Sequence, residues 1–411
     1  MSADSALGLF EGYGIEIEYM IVDRQSLAVE PIADQLLRSV SGAYDTEIEL
    51  GDLAWSNELA LHVIELKTNG PRATLLDLGE IFQADVVRIN GLLEPFEAML
   101  LPSGMHPWMN PSRDFRLWPH EHNAVYEAFD RIFGCASHGW VNLQSMHVNL
   151  PFANDREFGQ LHAAIRLVLP IIPALAASTP AVGGELTGYA DSRLKFYAGN
   201  STRVPAITGA VIPEPIFSID EYERYLLGRI YADLAPLDPD GVLRHEWVNA
   251  RGAIARFDRM ALEIRIIDTQ ECPVADVAVA GAVSAAVRAL VEGVWSGTRQ
   301  QRSWDHRELA ETFWAVCEAG DLAVIDDARL LRCFGYPEAG RARCAELWQH
   351  IVESALPADA LSERSRAALG VILHQGCLAR RIETAVRGDT LRGVYVQLAD
   401  CLQSGQPFEV H

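Results

Sequence analysis

Basic residues are scarce in this chain. Its 411 residues hold 34 Lys and Arg against 56 Asp and Glu, a formal charge of −22 at pH 7. A surface that acidic lacks what a phosphate backbone demands, which excludes nucleic acid as a partner, and docking on an anionic membrane with it. A small anionic substrate stays open, provided a metal ion or a few arginines neutralise it locally. Cysteine is also sparse. Cys135, Cys272, Cys317, Cys333, Cys344, Cys377 and Cys401 are odd in number, scattered, and contain no CxxC pair. That excludes a disulfide framework and a structural zinc site, and predicts a reduced, cytoplasmic protein. No basic segment followed by an apolar run opens the sequence at Met1–Glu11, so no signal peptide is expected. No long apolar run is free of charge or proline. Leu161–Ser178 carries Arg166, Pro170 and Pro173, and Val274–Trp295 carries Asp276, Arg288 and Glu292. Both read as buried helices rather than membrane spans. A Walker A motif, a GxGxxG after a strand, a GxSxG elbow and HExxH are all missing. A nucleotide would have to be held by metal ions, arginines and a sheet.

The composition is otherwise that of a globular protein with a sizeable core, 49% hydrophobic and 22% charged. Alternation predicts strands over Tyr13–Val22, Leu59–Thr68, Ser145–Leu150 and Ala261–Asp268. Helical spacing predicts Leu75–Phe96, Glu157–Ala177, Glu221–Leu234 and Val274–Val294, and helices only from about Trp304 onward. Strands this far apart, with apolar and polar residues alternating, suit an antiparallel sheet with one wet face. The fold class is α+β: a sheet with a polar, ligand-facing side, helices behind it, and a helical C-terminal region. With no linker, repeat or low-complexity segment, one catalytic domain is expected over 1–411. Its sheet-forming part spans about 12–300 and its helical part about 301–405.

Several constellations could carry chemistry. Glu16 and Glu18 share one face of the first strand, where like charges repel unless a cation lies between them. Glu263 and Arg265 repeat the pattern with opposite signs, either as a surface ion pair or as a metal-binding carboxylate beside a phosphate-binding guanidinium. His147 and Asn149 share a strand face and gain interest only if the Glu16 strand lies beside them. His120-Glu121-His122 resembles a metal site but, following Pro119, reads as an exposed helix start. Ser178–Arg193 is a long loop of small residues, in which Gly188 permits close approach to a ligand and Arg193 offers a charge to an anion.

In order along the chain, Gly14-Ile15-Glu16-Ile17-Glu18-Tyr19, Glu65-Leu66-Lys67-Thr68, Gly104-Met105-His106-Pro107, His147-Val148-Asn149, the Thr187–Arg193 loop, Leu262-Glu263-Ile264-Arg265-Ile266-Ile267-Asp268 and Gly376-Cys377-Leu378-Ala379-Arg380 resemble the second family of glutamate–cysteine ligases. The resemblance runs from about Gly12 to about Leu402. It implies a curved antiparallel sheet forming a glutamine-synthetase-like funnel, with ATP entering at one end, the amino-acid substrate at the other, and Mg2+ or Mn2+ between. It places Glu16, Glu18, Glu65, His147 and Glu263 on metal-ligand positions. Arg193 and Arg265 fall on catalytic positions that handle phosphate and acyl phosphate. Thr68, Asn149, Thr187 and again Arg193 fall on substrate- or nucleotide-binding positions. The implied activity is ATP-dependent ligation of a carboxylate, glutamate or similar, to cysteine or a related amine, a step of glutathione biosynthesis. The partners are then small molecules, and a homo-oligomer stays open. Two other classes also stay open. A guanidine-kinase-like phosphotransferase would use a similar funnel without forming an amide, and a catalytically silent relative would bind ATP without turnover.

Overall fold

Alternation in the first strand sets the layout of the molecule. The computed structural model describes residues 6–121, 123–337 and 340–410. The strands are β1 (Gly14–Asp23), β2 (Glu47–Leu50), β3 (Leu53–Asn57), β4 (Val63–Thr68), β5 (Ala98–Leu101), β6 (Ser145–Pro151), a small ribbon of β7 (Ala181–Val182) and β8 (Glu185–Leu186), β9 (Ala253–Arg256) and β10 (Ala261–Asp268). The main sheet runs β2-β3-β4-β1-β6-β10-β9, with β5 pairing along the second half of β1. All of its pairings are antiparallel. The helices that frame it are α1 (Leu78–Leu93), α2 (Asn123–Phe133), α3 (Asp155–Val168), α4 (Ser192–Ala198), α5 (Pro273–Val291), α6 (His306–Ala319), α7 (Leu378–Ala385) and α8 (Leu391–Ser404).

Ile15, Ile17, Tyr19 and Ile21 join Ile64, Leu66, Met146, Val148, Leu262 and Ile264 in one buried cluster behind the sheet. Helices α1, α3 and α5 pack together on that side. α5 is apolar all round and long enough to cross a membrane by composition, but 89% of it is buried inside the protein, the packing of a core helix. The opposite sheet face is divided. Along the second half of β1, Met20 and Val22 meet Leu378 and Ile382 of α7 and Val394, Tyr395 and Leu398 of α8. Along the first half, the face is left to Glu16 and Glu18.

The structure redraws several expected elements. The first residues of the second expected strand, 59–62, form a bend, a single bridge at Ala60 to Leu117 and a turn, and β4 starts at Val63. Strands β3, β5 and β9 carry no clean alternation, and β2 alternates over only four residues; all of β3 is buried, so its two faces look alike in the sequence. The helix expected over Glu157–Ala177 ends at Val168. A single 3-10 turn and the short helix Pro173–Ala176 follow, because Pro170 and Pro173 supply no amide hydrogen to continue the ladder. The C-terminal region is helical except for a two-stranded ribbon of Val324–Ile325 with Ala342–Arg343.

Arg381 of α7 seals the helical part against the sheet's end. Fully buried, it reaches Glu271 Oε1 at 2.5 Å and donates to the carbonyl of Phe408 at 2.6 Å, while the Phe408 amide donates to the same Glu271 oxygen at 3.0 Å. Replacing Arg381 with Met strands a buried carboxylate. It is expected to cost about 3–5 kcal/mol of stability in urea unfolding. A loss below about 1 kcal/mol would show that Glu271 finds another partner or water.

Candidate active site

The strand register brings the polar residues of the open half-face together. Glu16 lies between Lys67 on β4 and His147 on β6, and Glu18 lies opposite Glu65. Asn149 faces Glu263 on β10, and Ser56 on β3 faces Glu65. Gly14 makes room at the edge, since a Cβ there would stand 3.0 Å from the Cβ of Asn149. Over this floor opens a cleft of about 630 Å3, lined by Glu18, Glu58, Glu65, Lys67, His147, Arg193, Tyr197, Arg256, Arg259 and Arg265 among others.

Glu16 is the hub of the floor. One carboxylate oxygen meets His147 Nδ1 at 3.0 Å; the other meets Arg259 at 3.2 Å and the Asn149 amide at 3.3 Å. Burial alone would raise its carboxyl pKa. The hydrogen bond from His147 and the charges of His147, Arg259 and Lys67 reverse that and hold it well below the usual range. Burial likewise opposes charge on His147, but Glu16, Glu263 and Glu18 outweigh it and raise the imidazole. Glu18 accepts from the Ser145 amide at 2.7 Å and its hydroxyl at 3.1 Å. Glu65 accepts from Ser56 Oγ at 2.6 Å and stands 3.4 Å from Lys67, one of two lysines in the chain. Burial, then the charge of Glu16, pushes the Glu65 carboxyl up to about 7. Burial with Glu18 and Glu65 pushes Glu58 well above the usual range.

Glu263 sits among arginines. Arg256 takes one of its oxygens at 2.8 Å, and Arg265 Nε stands 3.1 Å from the other, which lies 4.0 Å from His147. Arg265 also donates to the Asn249 carbonyl at 3.2 Å. Glu58, which the sequence did not single out, stands where the acids gather. Two triads offer donor atoms within 4.8 Å of one another: Glu16, Glu65 and His147, and Glu18, Glu58 and Glu65. Burial and neighbouring carboxylates raise Glu58 and Glu65, a cost that a bound cation would relieve, and oxygen donors with one imidazole suit Mg2+ or Mn2+. The residues fit a divalent cation.

Arg193 comes to the cleft from a helix rather than a mobile loop. It sits in the first turn of α4, whose N-cap Asp191 accepts from the Leu194 amide. The preceding loop is tied to α6 by the amides of Ala190 and Asp191, which donate to the carbonyls of Glu318 and Cys317 at 3.0 and 2.9 Å. Arg193 is buried and paired through Nε with Asp268, while its Nη2 has no partner, like the nearby Tyr197 hydroxyl. Asp268 reaches this place through a bulge. Ile264 faces Val148 and Ile267 faces Met146, so β10 carries one residue more than β6 between them. Ile266 and Ile267 both join the core as a result, and Asp268 turns to the polar side. Asp268 also accepts from Ser178 and Thr179, and a Cβ on Gly104 would come within 2.8 Å of its carboxyl carbon.

Thr68 and Thr187 are not brought to the cleft. Thr68 alternates to the opposite face from Lys67 and accepts from the Ile15 amide at 3.2 Å. Thr187 Oγ1 is used inside its own loop, with Pro180 and Ser192. His120 is half-buried rather than exposed, stacked on Tyr44 and 2.9 Å from Asp34; His122 lies outside the described residues. The cysteines are free and, apart from the half-buried Cys401, buried. Burial pushes the Cys377 and Cys401 thiols up to about 12, the reverse of an activated nucleophile.

A model of glutamate–cysteine ligase family 2 matches residues 13–383. The chain belongs to that family. An uncharacterised protein of Archaeoglobus fulgidus is 40% identical over 279 residues, 68% of this chain and 74% of that protein. A family relative from Salinispora arenicola, named "Putative glutamate--cysteine ligase 2", is 28% identical over 297 residues, 70% of this chain and 69% of its own. Other family relatives are spanned over about half their length. One is the Corynebacterium efficiens protein "Putative glutamate--cysteine ligase 2-1", 24% identical over 235 residues, 56% of this chain and 54% of that protein. Among solved structures, the glutamate–cysteine ligase of Francisella tularensis in complex with AMP superposes with a TM-score of 0.61 at 12% identity, covering 96% of this chain and 88% of that one. That likeness is one of fold: a large antiparallel sheet with a helical C-terminal region. The family is one of carboxylate–amine ligases.

Proposed function

We propose that this chain, acting as one catalytic domain, is an ATP-dependent ligase that joins the side-chain carboxylate of glutamate to an amine, cysteine or a related one. The observation that carries the reading is the pair of acidic triads sharing Glu65, flanked by arginines and Lys67, in the one open half of the sheet. A carboxylate does not react with an amine at neutral pH, because its leaving group would be oxide. Transfer of the terminal phosphoryl group of ATP to the carboxylate gives an acyl phosphate and ADP. Attack by the amine then gives the amide and inorganic phosphate. The chemistry needs charge neutralised on the phosphates.

Glu16, Glu18, Glu58, Glu65 and His147 would hold Mg2+ or Mn2+, which supplies that neutralisation when bound. Arg259 and Lys67, beside Glu16, would meet the nucleotide phosphates, and Asn149 donates to the same carboxylate. Arg193 and Arg265 would meet the transferring group, a role supported by the unpartnered Nη2 of Arg193. Thr68 and Thr187 keep no role in this reading. Purified protein with Mg-ATP and glutamate, assayed for ADP and amide against a panel of amines, tests it. ADP without amide in every case, or no ADP at all, refutes it.

Cation binding should follow the protonation of Glu65. Its carboxyl is raised from the ordinary 4.5 to about 7. The folded chain therefore holds a proton there that the unfolded chain has released. That contribution to stability is present below about pH 4.5 and is lost as pH rises through about 7. A cation needs the charged form and displaces the proton. Added Mg2+ should raise Tm more at about pH 8 than at about pH 6 in thermal melts. Equal shifts at the two values would show that Glu65 is not a ligand.

A further inference from the structure

The chemistry above engages the floor of the cleft and its basic edge, but the opposite wall has another character. Val125, Tyr126 and Phe129 of α2, with Trp140, Leu143 and Trp247, line the same cleft, and each is half-buried. The rings form a continuous surface, with Phe129 centred 5.0 Å from Trp140 and 5.9 Å from Trp247. Trp140 is fixed in place by donating its indole N–H to the Asn200 carbonyl at 3.0 Å, which leaves its face apolar. The wall begins beside the acids at a defined end. The Tyr126 hydroxyl accepts from Asn57 at 3.1 Å, next to Glu58 in the chain, whereas Arg259 contacts Glu16. The cleft thus has a basic end at Glu16, an aromatic end at Glu58, and the acids between them.

We propose that this wall is the specificity surface for the amine acceptor, and that the acceptor is a primary amine carrying an aromatic or bulky apolar group. The inference rests on the ligase reading. A side chain as small as that of cysteine would leave most of the wall in water, whereas an aromatic group would cover it and stack on the rings. The ammonium end of such a molecule would point toward the carboxylate oxygens of Glu58 and Glu18, at the end where the wall meets the acids. The new nitrogen–carbon bond forms as the bond from acyl carbon to phosphate oxygen breaks. The phosphate leaves with the electron pair, and of the two protons the ammonium gives up, one goes with the phosphate and one to solvent.

Calorimetric titration of wild type, Phe129→Leu and Trp140→Ala with phenethylamine, L-phenylalanine, L-cysteine and L-alanine tests the wall, alongside ADP release with Mg-ATP and glutamate. Circular dichroism checks the fold, and the milder Phe129→Leu, which stays apolar while losing the ring, keeps the test open if Trp140→Ala unfolds. The aromatic amines should bind wild type at least about tenfold more tightly than cysteine or alanine. Both variants should erase most of that preference while leaving ATP affinity unchanged. Preference for cysteine, no aromatic binding, or variants that weaken ATP instead would overturn the assignment, the last by making the wall a nucleobase seat. Aromatic binding without ADP release would keep the wall and sink the ligase reading. ADP release with cysteine and no aromatic binding would do the reverse.

Discussion

Glu16→Gln should lower turnover about 10³-fold, about 4 kcal/mol of lost transition-state stabilisation, in a protein that still folds. Glutamine keeps the shape of the side chain but removes the charge around which His147, Arg259 and Asn149 are arranged. His147 would lose the partner that favours its charged form. Glu65 would lose the neighbour whose charge, after burial, most raises its carboxyl. One substitution therefore disturbs both the cation-binding set and the basic edge. Steady-state ADP release, circular dichroism and the Mg2+ dependence of Tm together check this. Near-normal turnover with an unchanged Mg2+ response would mean that the acidic floor is a solvated strand face and no more.

Arg193→Lys should reduce kcat about 10²-fold, about 2.7 kcal/mol, while ATP affinity measured by calorimetry without acceptor changes far less. The arginine has two tasks at once. Its Nε is committed to the buried Asp268, and its Nη2 is left for the cleft. A lysine can keep the charge near Asp268 or reach the cleft, but its single ammonium has no fork with which to do both. Arg193→Ala is the poorer probe, because it leaves Asp268 buried and unpaired and would confound activity with stability. If Arg193→Lys instead weakens ATP binding and leaves kcat intact, the residue anchors the ground state.

The parts of the fold that were legible are those where each strand face has its own chemistry. Glu16 and Glu18 against Ile15 and Ile17 announce β1, and His147 and Asn149 against Val148 announce β6. Leu53–Asn57 escaped notice because both of its faces are buried. Glu58, just past the end of that strand, went unnoticed with it. Asp268 was hidden for a different reason. Strict alternation assigns it to the face of Leu262, Ile264 and Ile266, and only the extra residue in β10 turns it toward Arg193. A bulge leaves no composition signal of its own. The small-residue loop before Arg193 was expected to approach a ligand. Its last residues, Ala190 and Asp191, are tied to α6 by backbone bonds, which no local pattern encodes.

The order of strands in the sheet also governs how the chain comes to be folded. The bond between Glu16 and His147 spans 131 residues, and that between Arg259 and Glu16 spans 243. Loop-closure entropy rises only with the logarithm of separation, about 0.6 kcal/mol for each doubling, so the longer span costs the finished protein little. The rate of folding is what suffers, because high contact order slows the search. During synthesis β1 and β4 can pair early, but the β6 edge has no β10 to meet until that strand emerges. Until then its unpaired amides and carbonyls are a template for the wrong partner. The same architecture that gathers acids from distant parts of the chain leaves the nascent protein exposed to aggregation until late in its synthesis.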